Sequence, residues 1–158
     1  MKELSFAAVA TTSARPANIS RSAWMLQRLN EDGLRATAPR QTVVKAIAAK
    51  RGAFNPEALV DELRPGGIGR ATVYRTLELL EERGMLARIH QAGCHGFTVC
   101  DEGHHHHLVC NACSKVLPID ATSIEEDIQE LADRLKFRVD THMLEFAGLC
   151  ESCQAKAS

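Results

Sequence analysis

Apolar positions in the first half of the chain recur at helical spacing. Ser22 to Asn30 (SAWMLQRLN) forms an amphipathic pattern that closes near Gly33. Residues 37–52 predict a second helix, with Pro39 at its start, Val43, Val44 and Ile47 as its apolar stripe, and Gly52 as its stop. A short third helix begins at Asn55, a candidate N-cap, with Pro56 as its first residue, and ends at Pro65-Gly66-Gly67. Residues 69–84 (GRATVYRTLELLEERG) predict a fourth, closed by Gly84. Residues 85–90 and 95–100 then predict two strands joined by a turn at Gln91 to Cys94.

The pattern changes after His107. Residues 107–111 and 115–120 predict short strands around a turn. Residues 123–136 predict a helix capped by Thr122 or Ser123, with Ile128, Leu131 and Leu135 on one face. Phe137 to Cys150 alternates well enough for one long strand. The expected class is α+β. A flexible tail over 1–20 precedes a helical and hairpin domain over 21–96 and a small α/β domain over 97–158.

Helices followed by a two-stranded hairpin form the winged-helix pattern, whose last helix usually enters the DNA major groove. Val73, Leu77 and Leu80 of the fourth helix should face the core. Arg70, Tyr74 and Arg75 then project elsewhere, with Thr72 beside them. Arginine can pair bidentately with guanine, and a tyrosine ring can pack on a thymine methyl. A solvated helix face would look much the same.

Composition is ordinary for a soluble globular protein, 45% apolar and 25% charged. No apolar run is long enough to span a membrane, and the first twenty residues lack a secretory signal, so a cytoplasmic protein is expected. The net charge of −1 hides an asymmetry. Residues 1–91 carry 14 basic and 9 acidic side chains; residues 92–158 carry 5 and 11. The basic half suits a polyanion partner.

All six cysteines lie in the acidic half. Cys110 and Cys113, and Cys150 and Cys153, form two CxxC pairs, the donor set of a structural zinc ion. Such an ion would clip together the two ends of the second domain and supply a staple that its small core needs. Disulfides and a redox CxxC are the weaker readings, since nothing suggests secretion and the two pairs bracket one domain. The run His104-His105-His106-His107 would alternate faces in an extended segment. His105 and His107 then point one way, within reach of Cys100, and a thiolate favours zinc over iron or manganese. His104 and His106 point the other way, toward Glu125 and His142 as candidate partners. A zinc hydrolase would also use a Cys/His/His site, but no general base is evident beside the cluster.

The stretches ATVYRTLELLEERG, HHHHLVCNACSKV, SIEEDI and HMLEFAGLCESC, in that order, resemble the Fur family of metal-sensing bacterial repressors over about Arg35 to Gln154. The resemblance implies a winged-helix domain hinged to a dimerisation domain. It further implies a homodimer that binds palindromic double-stranded operator DNA when loaded with two to three zinc ions per subunit. No membrane or small-molecule substrate is implied.

Carried over by position, the four CxxC cysteines match the structural zinc site. Cys100, His105 and His107 match the hinge sensing site, and His104, His106, Glu125 and His142 match a second site in the dimerisation domain. Tyr74 and Arg75 match the base-contacting pair, and Arg40 resembles an arginine that reaches DNA. Cys100 resembles zinc uptake regulators more than iron sensors, although iron, manganese or peroxide sensing remains the alternative. Ala87 stands where zinc sensors often place a fourth hinge ligand, and Ala53 where iron sensors carry a histidine. His90 is the expected fourth ligand, with Cys94 and His95 as rivals.

Overall fold

The computed structural model describes residues 14–91, 94–101, 105–140, 142 and 144–157. Helices α1 (Arg21–Glu31), α2 (Ala38–Ala48), α3 (Pro56–Leu63) and α4 (Arg70–Glu82) precede a hairpin of β1 (Leu86–Gln91) and β2 (Cys94–Val99). A second sheet follows, with β3 (His106–Cys110), β4 (Val116–Ile119), α5 (Thr122–Arg134), β5 (Glu145–Gly148) and α6 (Glu151–Ala157). The fold is α+β, as the sequence pattern implies.

The first helices begin where local chemistry dictates. Ser20 accepts from the Ala23 amide, and Asn55 accepts from the Glu57 and Ala58 amides, satisfying N–H groups that have no partner within the helix. Their apolar stripes meet in one core built from Trp24, Met25, Leu29, Val43, Ile47, Leu59, Val73, Leu77 and Leu80, all buried. Phe97 of β2 belongs to that core, and β2 runs through Val99, past the boundary expected at residue 96. Gly84 ends α4 in a left-handed conformation (φ 66°), which turns the chain directly into β1.

The antiparallel hairpin pairs Leu86 with Val99 and His90 with His95. In the second sheet the strand order is β4-β3-β5, antiparallel on one side and parallel on the other. Two expectations change here, and the predicted helix face proves exposed. The long strand over 137–150 reduces to Glu145–Gly148, after Lys136 leaves α5 at a positive φ of 53°. Ala121, rather than Thr122 or Ser123, occupies the N-cap position of α5, and the Asp120 carboxylate accepts from the Thr122 amide. The stripe Ile128, Leu131 and Leu135 lies outside the core of the single chain: Leu135 is 68% exposed, as is Phe137 at 66%.

Part of the expected flexible tail is anchored. The Arg15 amide donates to the Asp101 carbonyl at 2.7 Å, and Arg15 Nε reaches the Asp101 carboxylate at 3.1 Å. Residues 1–13 lie outside the described chain. Among the described residues, no helix is long and apolar enough to cross a membrane.

Candidate metal centres and nucleic-acid interface

Among the described residues, three groups of ligand-bearing side chains converge, each with its donor atoms within 4.8 Å of one another. The first is Cys110, Cys113, Cys150 and Cys153. The parallel pairing of β3 and β5 sets Cys110 opposite Gly148, so both knuckles start from one end of the sheet. The Asn111 amide donates to the Gly148 carbonyl at 2.8 Å, and the Cys150 amide to Cys110 Sγ at 3.3 Å. This last bond draws the Cys110 thiol down to about 6. Cys153 is pushed up to about 12, first by its bond with Cys150 and then by its bond with Cys113. Four sulfurs this close cannot all ionise without a cation. Cys113 and Cys150 sulfurs lie 3.7 Å apart, close to the ~3.8 Å that tetrahedral geometry with Zn–S bonds of about 2.3 Å requires. The residues present therefore fit a structural zinc ion.

The second group is Cys100, His105 and His107. Cys100 follows β2, and its amide donates to the Met85 carbonyl at 3.1 Å, which fixes the cysteine at the base of the hairpin. Its sulfur lies 3.9 Å from His107 Nε2, and the His105 and His107 rings meet edge to face at 4.7 Å. Burial pushes the Cys100 thiol up to about 12, assisted by the Asp101 charge and opposed by the Ala87 amide. Burial likewise pushes His107 down to about 4, with His105 and His106 adding to the effect. A neutral imidazole is already a ligand; the thiol must release its proton to a metal ion. The trio fits a thiophilic cation such as zinc.

His90 is not part of this trio. Register explains why: Cys100 adjoins Ala87, and three further residues of extended strand separate His90 by about 10 Å. The exposed His90 instead turns its backbone amide to the Glu145 carboxylate at 3.0 Å. The side chains of Cys94 and His95, the rival fourth ligands, lie outside the described set.

The third group is His106, Glu125 and His142. His106 Nε2 contacts Glu125 Oε1, His142 Nε2 lies 3.4 Å from the same oxygen, and the two rings are 5.2 Å apart. Glu125 sits in the first turn of α5 and turns to these histidines. His104 falls outside the described residues. One carboxylate and two imidazoles form a donor set that suits a divalent ion of intermediate hardness.

On α4, Arg70 and Arg75 are exposed, while Tyr74 is half-buried and its ring packs against the core. Glu57 of α3 accepts from both the Arg70 guanidinium and the Tyr74 hydroxyl, and Arg70 stacks on the Tyr74 ring at 4.9 Å. The Tyr74 bond, then the Arg70 bond, holds the Glu57 carboxyl below its ordinary range. Thr72 is tied into the helix: its carbonyl accepts from Thr76 Oγ1 at 2.7 Å. Arg40, near the start of α2, donates to the Arg35 carbonyl at 2.7 Å. Glu57 was not legible as a site residue, since an acidic residue in a first turn reads as a dipole partner.

Asp101 is a second residue the sequence concealed. Its carboxylate accepts from Arg21 Nε at 2.9 Å and from Arg15 Nε at 3.1 Å, and these cations hold it below the usual carboxylate range, Arg21 foremost. Elsewhere the Ser114 carbonyl, in the first knuckle, accepts from the Ala53 amide at 3.1 Å.

Among the described residues, the wing hairpin, the exposed Arg70 and Arg75 of α4 and three ligand clusters, one of them joining the two folded units, suit a metal-responsive DNA-binding regulator. The ferric uptake regulator family model matches residues 31–147, and the chain belongs to that family. It is 34% identical over 132 residues to the ferric uptake regulation protein of Legionella pneumophila, covering 81% of this chain and 97% of that one. Its fold superposes with a TM-score of 0.71 on a zinc uptake regulator complexed with zinc and DNA, at 24% identity over 87% of this chain and 95% of that one. It superposes on holo XcZur with a TM-score of 0.69, at 25% identity over 85% and 99%. Members of the family are metal-sensing, DNA-binding transcription regulators, so the hydrolase reading falls away and the chain is not an enzyme.

Proposed function

We propose that this chain is a zinc-sensing repressor that acts in the cytoplasm, binds a palindromic operator as a homodimer and controls genes of zinc uptake and homeostasis. The observation that carries the reading is the convergence of the Cys100 thiol with His105 and His107 beside the wing. A thiolate donor prefers zinc to iron or manganese. In this reading the four CxxC cysteines hold a structural zinc, and His106, Glu125 and His142, joined by His104, hold a further ion. The count is two to three ions per subunit.

Cys100 is fixed to the base of the hairpin, whereas His107 stands on β3 of the second sheet. An ion held by both favours one arrangement of the helical unit with its hairpin, which extends through Val99, against the unit built on the second sheet. A bound ion supplies the positive charge that lets the buried thiol ionise. Arg40, Arg70, Thr72, Tyr74 and Arg75 then meet DNA, with phosphate contacts making the affinity fall steeply with salt. The exposed stripe of Ile128, Leu131, Leu135 and Phe137 suits a second copy of the chain.

The name of the Legionella relative favours an iron sensor instead. Metal-by-metal binding to duplexes selected from a random pool separates the two. Zinc should support binding at a lower free concentration than iron(II) or manganese(II), and Cys100→Ser should abolish that preference. Binding driven by iron(II) or manganese(II) with zinc inert would overturn the zinc reading.

A further inference from the structure

We propose that Asp101 is a positioning residue that transmits the state of the Cys100–His105–His107 cluster to α1 and α2 through Arg21 and Arg15. The proposal rests on the reading of that cluster as the regulatory metal site.

Asp101 directly follows Cys100, and the chain returns to the same cluster at His105. An ion bound to Cys100 restrains the backbone one peptide away, at Asp101. Its carboxylate is gripped by the Arg21 and Arg15 side chains, and its carbonyl by the Arg15 amide. Arg21 is the first residue of α1, and the same guanidinium reaches the far end of α2: its Nη1 donates to the carbonyls of Ala48 at 3.3 Å and Lys50 at 3.2 Å. Those acceptors lie at the end of α2, where carbonyls lack helical partners and attract a cation. One side chain thus joins the hinge, the start of α1 and the end of α2. Helix α2 packs on α4, the helix proposed to read DNA.

A purely structural ion pair would steady the metal-free and metal-loaded forms alike. A positioning role predicts that order in residues 14–24 depends on the metal, and that this dependence requires Asp101. The probe is cobalt(II), added to the full-length protein purified with its tightly held metal. A thiolate-to-cobalt absorption that vanishes in Cys100→Ser reports occupancy of the hinge. Hydrogen–deuterium exchange of residues 14–24 reports order.

In the wild type, saturating cobalt should slow that exchange by about 10-fold. In Asp101→Asn, and in Arg21→Gln, which leaves the hinge sequence intact, the slowing should fall below about 2-fold while the absorption at saturation is retained. Linkage allows cobalt affinity to weaken by no more than the same factor. Equal slowing in the wild type and both variants overturns the proposal. So does loss of the band in Asp101→Asn at saturation, which would place Asp101 in the metal sphere itself. A wild type without the band overturns the metal reading, and the positioning role with it.

Discussion

His106 and His107 are neighbours in the chain, yet they serve different clusters. His106 contacts Glu125 of α5, while His107 lies 3.9 Å from the Cys100 sulfur. Both rings are buried, on opposite faces of β3, so one strand divides its histidines between two centres. Substitution should therefore separate the centres. His107→Ala should weaken hinge metal binding by more than about 100-fold, since loss of even an outer-shell partner costs 10- to 100-fold. His106→Ala should leave that affinity nearly unchanged. Metal competition with a chromophoric chelator measures both, and equal losses in the two variants would refute the division.

Protons follow from the same geometry. With the Cys100 thiol raised to about 12 and His107 lowered to about 4, metal entry between pH 6 and 8 should displace one proton from Cys100 and none from His107. Calorimetric titration in buffers of different ionisation enthalpy should count one proton fewer for Cys100→Ser.

With the CxxC site filled and the hinge empty, the protein should be most stable between the unfolded values of these two groups, about 6.5 and 8.5. Below that window the unfolded chain takes up a proton at His107 that the folded chain refuses until about 4, so stability falls with falling pH. Above it the unfolded chain loses the Cys100 proton first, so stability falls again toward about 12. Chemical denaturation across pH tests this, and stability that keeps rising above pH 9 would contradict it.

Gly52 joins the two folded units at close range. It has φ 71°, and a Cβ there would lie 2.8 Å from the Ser114 carbonyl oxygen. Gly52→Ala should destabilise the protein by about 1–3 kcal/mol, because both the left-handed backbone and the close approach disfavour a side chain. Denaturant unfolding gives the value, and a change below about 0.5 kcal/mol would mean that the contact yields freely.

Glu57 holds Arg70 and Tyr74 with its single carboxylate. Glu57→Gln removes a negative charge from the proposed DNA face and loosens both side chains. Non-specific duplex should bind several-fold tighter, while discrimination among sequences narrows. Arg75→Ala should cost about 1–3 kcal/mol on the selected site, the worth of a bidentate base contact. Fluorescence anisotropy on selected and scrambled duplexes reads both effects.

Much of this architecture is legible in the residues themselves. Asn55-Pro56 marks the start of α3 because an amide acceptor and a residue without an N–H suit that position. The CxxC pairs point to their cluster because two-residue spacing brings both sulfurs to one knuckle. The predicted hairpin of residues 85–90 and 95–100 already sets Cys100 at the end near Ala87 and His90 at the tip. The observed register bears that pairing out, against His90 as a ligand. Contacts set by distant pairing are harder to read. The pairing of Asp101 with Arg21 spans 80 residues and has no local signature. The exposure of Leu135 and Phe137 is not legible either, because spacing reports amphipathicity, not whether the same chain covers the apolar face.

The alternation along β3 also constrains how this stretch of gene can change. A codon gained or lost just before His106 would swap which rings face Cys100 and which face Glu125, scrambling both centres at a stroke. Segment length there should prove less mutable than any one side chain.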